Sequence, residues 1–153
     1  MIMYRSLAFL GALVILQPSG RWSGSFIAST PDRSFDMSVN VRTKLYGSAI
    51  ITSQEKSDFS KVILSVGGVG ASSLGWQVGN GRCGSGDATV LGPNEFPPMD
   101  VGASGKAELT REFHFSLDPK NSYHVDLYKS DGPSGSYDRR EGIMACANLK
   151  YQK

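Results

Sequence analysis

Few side chains in this chain are equipped for chemistry. It has two histidines, His114 and His124, and two cysteines, Cys83 and Cys146. His124, Asp126 and Tyr128 recur at period two, so a strand places all three on one face. Two imidazoles and a carboxylate, from His114, His124 and Asp126, would suit a divalent transition ion such as copper or zinc. The same pattern also describes the polar solvent side of an antiparallel sheet, which carries such residues without any ligand. No cofactor is therefore expected, with copper or zinc as the alternative.

Other motifs dissolve on inspection. Gly79-Asn80-Gly81-Arg82-Cys83-Gly84 matches G-x-G-x-x-G, but the dinucleotide fingerprint must open a helix, and Ser85-Gly86-Asp87 leads into more loop. Gly67-Gly68-Val69-Gly70 lacks the Lys-Ser/Thr of a phosphate loop. A Ser-His-Asp triad has no G-x-S-x-G elbow behind it, so a hydrolase has no motif here. Asp138-Arg139-Arg140-Glu141 is of mixed sign and reads as a solvated loop edge. Trp76 alternates with Val78, which places it in a core rather than on a ligand platform.

The elements that position these residues are short strands separated by turn signals. Residues 22–30 form a first strand, and 35–41 alternate Phe35, Met37, Val39 and Val41 against polar partners. Residues 45–52 and 59–66 flank a polar turn at 53–57 and read as a hairpin. Trp76 and Val78 share one face of the next strand, with Gln77 and Gly79 on the other. Residues 81–104 are Gly/Pro-rich, and Pro93, Pro97 and Pro98 exclude a central strand there. In 107–117, Ala107, Leu109, Arg111, Phe113, Phe115 and Leu117 share a face. Tyr123, Val125 and Leu127 point inward, leaving His124, Asp126 and Tyr128 outward. After a polar loop at 130–140, the last strand buries Ile143, Ala145, Ala147 and Leu149. No helical period appears after residue 20. The expectation is an all-β Greek-key sandwich or flattened barrel of seven or eight antiparallel strands.

The totals bound the rest. A chain of 153 residues has room for one core, and 40% hydrophobic with 20% charged residues is a globular composition. A net charge of +2, without a basic cluster interleaved with aromatics, excludes nucleic acid as the expected partner. Residues 1–20 read as a signal peptide: Arg5 supplies the positive start, and the apolar run 7–16 is too short to span a bilayer. The single domain then covers 21–153, with no membrane span in the mature form. An exported chain is secreted or periplasmic, and there a cysteine pair points to a disulfide. Neither cysteine has a second ligand at C-x-x-C spacing. A bond between residues 83 and 146 would stabilise by roughly 4 kcal/mol in the chain-entropy account.

Three segments together suggest a family. Trp76-Gln77-Val78-Gly79-Asn80-Gly81-Arg82-Cys83-Gly84, then Tyr123-His124-Val125-Asp126-Leu127-Tyr128, then Ile143-Met144-Ala145-Cys146-Ala147-Asn148-Leu149 resemble the copper/zinc superoxide dismutase-like domains of exported bacterial proteins. The family pattern for the first runs His-x-Trp-His-Val-His-x-Gly-x-Cys-Gly; the second ends Val-x-Val-His, and the third reads Val-x-Ala-Cys-Gly-x-Leu. The resemblance covers about residues 45–150 and implies that Cys83 and Cys146 form the family's disulfide, joining loop to last strand. It does not carry the metal. The copper-ligand positions fall on Gln77, Gly79 and Tyr128, the loop 81–104 has no histidine, and Ile143 stands where the family has its guiding arginine. An amide, a glycine and a phenol do not replace imidazoles around a redox metal. The expected function is a non-catalytic structural or binding role, with the 81–104 and 130–140 loops meeting a protein or surface partner. The alternative is a metal-binding or redox protein of the same family, acting in superoxide metabolism through a non-standard site.

Overall fold

The computed structural model describes residues 20–28, 45–53, 57–85, 89–91, 95–129 and 143–152. Residues 1–19 of the expected leader (1–20), the strand expected at 35–41 and the loop 130–140 lie outside the described residues. Among the described residues there is no helix, so none is long and apolar enough to cross a membrane. The strands are β1 (Gly20–Ser25), β2 (Ile27–Ala28), β3 (Tyr46–Ser53), β4 (Ser60–Gly67), β5 (Ser73–Asn80), β6 (Met99–Asp100), β7 (Ala107–Phe113), β8 (Tyr123–Lys129) and β9 (Ile143–Gln152).

All pairings are antiparallel, in the order β6-β5-β8-β9-β1-β3-β4-β7, with β2 set against β9. Strands β6 and β7, at the two ends of that path, touch each other, so the sheet curls into a nearly closed barrel. Strands β5, β6 and β7 follow in turn, and β8 then returns to lie beside β5, which is a Greek key. The all-β expectation holds.

Alternation explains the core. Ala49 and Ile51 of β3, Val62 and Leu64 of β4, and Val125 and Leu127 of β8 are buried at every second position. Trp76 is fully buried, as its alternation with Val78 requires. Its indole N–H donates to the Pro97 carbonyl at 2.8 Å, and Phe96 stacks on it with centroids 4.6 Å apart. The loop thus supplies an aromatic plug as well as a hydrogen-bond partner for the buried indole.

Four expectations need correction. The first strand is divided into β1 and β2, because the Phe26 N–H turns to the Gly47 carbonyl at 3.0 Å. The strand from Ala107 ends at Phe113 rather than residue 117. Arg111 is exposed although its neighbours in the pattern face inward; a guanidinium without a partner is costly to bury, so it leans over the Phe113 ring at 5.9 Å. Ile143 is not buried but 41% exposed. Leu127 pairs with Ala145 while Tyr128 pairs with Ile143, so a bulge leaves Met144 over and turns Ile143 to the opposite face.

Candidate functional site

The outer face of β5, β8 and β9 is built by complementary side-chain sizes. In register, Gly75 lies opposite Tyr128, Gln77 opposite Asp126, and Gly79 opposite His124. Gly79 of β5 leaves room for the imidazole ring of β8. A Cβ at Gly79 would lie 2.5 Å from both Cε1 and Nε2 of His124, so the imidazole occupies the space a side chain at 79 would need. On the far side of β8, Asp126 stands opposite Cys146 and His124 opposite Asn148.

Residues 81–85 and 89–91 lie over this face. Cys83 is bonded to Cys146, with 5.9 Å between their Cα atoms. The Cys83 N–H donates to Asn148 Oδ1 at 2.8 Å, and the Val90 N–H donates to the Val78 carbonyl at 2.9 Å. Gly81 and Gly84 have φ of 82° and 80°, the left-handed region that glycine enters without penalty, which lets the chain fold back here. The outward residues of β8 are therefore not the solvent face of a sheet. The His124 and Asp126 side chains are only 5% and 4% exposed.

Their hydrogen bonds define the chemistry. His124 Nδ1 lies 3.2 Å from the Gly81 carbonyl, which can only accept. The ring's other nitrogen, Nε2, lies 3.3 Å from Asp126 Oδ2. With Nδ1 donating to the carbonyl, Nε2 and Asp126 Oδ2 face each other across a single shared proton, which either atom can carry. Gln77 Nε2 donates to the same Oδ2 at 3.2 Å. Asp126 Oδ1 is buried with no hydrogen-bond partner. The Tyr128 hydroxyl donates to the Trp76 carbonyl at 3.1 Å.

The structure therefore gathers His124, Asp126, Gln77, Gly79 and Tyr128 under a disulfide-anchored loop, and leaves His114 elsewhere. His114 is exposed after β7, edge-on to Phe59 with ring centroids 5.0 Å apart. Among the described residues, no group of three or more His, Cys, Asp and Glu side chains is arranged to hold a metal ion. Sequence reasoning missed Gly81 as the acceptor for His124 and Asn148 as the anchor for Cys83. The alternation of glycines at 75 and 79 was the one readable signal that large partners lie opposite.

Gly79→Ala is expected to destabilise the protein by about 1–3 kcal/mol, because the added methyl forces the hemmed-in imidazole away from the Gly81 carbonyl and Asp126. Urea unfolding measures this, and an unchanged midpoint would mean the ring has another place to go. Set against known proteins, the chain matches no family model and no curated protein sequence.

Proposed function

We propose that this is an exported superoxide dismutase-like β-barrel without a copper/zinc site, serving as a structural or binding protein. One observation carries the reading: the three positions that the resemblance assigns to copper ligands are all engaged within the protein. Gln77 donates to Asp126, the space beside Gly79 is filled by the His124 ring, and Tyr128 donates to the Trp76 carbonyl. These groups do not fit a copper that cycles between oxidation states and needs several imidazoles. The barrel and the Cys83–Cys146 bond support the family resemblance, and the bond supports an oxidising compartment. Among the described residues of the 81–104 loop, the turn at Arg82, Gly84 and Ser85 and the stretch at Gly102, Ala103 and Ser104 are exposed and offered to a partner.

The test is elemental analysis and a superoxide assay on protein purified without chelator or a histidine tag. Substoichiometric metal and no dismutation above background are expected. One equivalent of copper with dismutase activity would overturn the reading.

A second reading has one observation in its favour. The partnerless Asp126 Oδ1, with Nε2 of His124 facing Oδ2, could take a divalent ion in place of the shared proton. Unchanged zinc and copper affinity in His124→Ala would remove it.

A further inference from the structure

On another flank of the barrel, the outer face of β1, β3, β4 and β7 holds a groove of about 620 Å³. Its floor follows from the register. Arg21, Thr52, Lys61 and Glu112 stand side by side across the four strands. The adjacent row carries Ile50 beside Ile63, both partly buried, and Phe59 closes the other side. Phe59 is 52% exposed, a large apolar surface left to water, and His114 packs edge-on against it.

The charges in this groove are not matched internally. Among the described residues neither Arg21 nor Lys61 is ion-paired, although Glu112 lies next to Lys61 in register. Arg21 and Lys61 flank Thr52 two strand spacings apart, about 10 Å, which leaves room for one small head group over the Thr52 hydroxyl. Two cations and one carboxylate leave a net charge of +1, which matches a single negative charge and disfavours a doubly charged anion. Ile50 and Ile63 then lie where an apolar body attached to that head would rest.

We propose that this groove binds a small amphipathic carboxylate, with its head between Arg21 and Lys61 and its apolar body on Ile50 and Ile63. The carboxylate is a planar acceptor that a guanidinium engages with two parallel bonds. The site shares no residue with the His124–Asp126 face. Failure of one reading therefore leaves the other standing.

Octanoate is the probe, titrated into the purified protein and followed by nuclear magnetic resonance. Saturable shifts clustered on β1, β3 and β4 are expected. Octanol, lacking the charge, and inorganic sulfate, lacking the apolar body, should each bind at least tenfold more weakly. The Arg21→Gln/Lys61→Gln variant should lose at least tenfold in octanoate affinity, and Ile63→Ser a similar factor. These side chains lie on the outer face, so the variants should retain the wild-type spectrum elsewhere. The proposal is overturned if octanoate shifts are absent or lie elsewhere, or if the double variant binds unchanged. It is equally overturned if octanol matches octanoate, meaning an apolar patch only, or if sulfate matches it, meaning charge only.

Discussion

Replacing His124 with alanine is expected to cost about 3–5 kcal/mol, a large part of the stability of a single domain. The reason is the group left behind. Asp126 is buried, one of its oxygens already lacks a partner, and the other would keep only the Gln77 amide. A buried carboxyl group left short of hydrogen-bond partners away from water is far more expensive than the bonded pair it came from. The double variant His124→Leu/Asp126→Leu should regain most of the loss, since it removes both buried polar groups and refills the volume. Urea unfolding of the two variants measures this. A cost below about 1 kcal/mol for His124→Ala would mean that water reaches the pair and that the face is not sealed.

Cys83→Ser is the second large effect. The bond closes a sequence separation of 63 residues, for which the chain-entropy account gives roughly 4 kcal/mol. For a domain of this size, that corresponds to a Tm lower by about 15 °C. The loss is not only global. Cys83 also ties down the loop that lids His124 and Asp126, so hydrogen exchange of Gly81, Cys83 and Val90 amides should accelerate first. A thiol assay on unfolded, unreduced protein should find no free thiol in the wild type and one in the variant, Cys146. Two thiols in the wild type would refute the disulfide.

These two effects describe one construction: a buried polar pair on β8, sealed by a loop that a covalent bond holds to β9. The pair costs desolvation, and its return is specificity of packing, since His124 fits only where Gly79 leaves space.

Much of this was legible in the chain. Period-two alternation at Trp76 and Val78, at Val125 and Leu127, and at Ala145 and Ala147 determined strands and an inner face, because side chains in a strand alternate whatever the strand pairs with. The cysteine pair and the turn residues between strands were equally local signals. Tertiary structure decided what alternation cannot reach. Whether the outward face of β8 meets water depends on where the segment at Gly81 and Cys83 is drawn, and that is set by contacts with β9, far along the chain. Ile143 turned outward because a bulge shifts the parity of pairing, which exists only between strands. His114 and His124 look alike in sequence, yet one lies edge-on to an exposed ring and the other is locked in a buried pair. Periodicity assigns a side chain to a face of its own strand; only the neighbouring strands and the covering loop decide what that face touches.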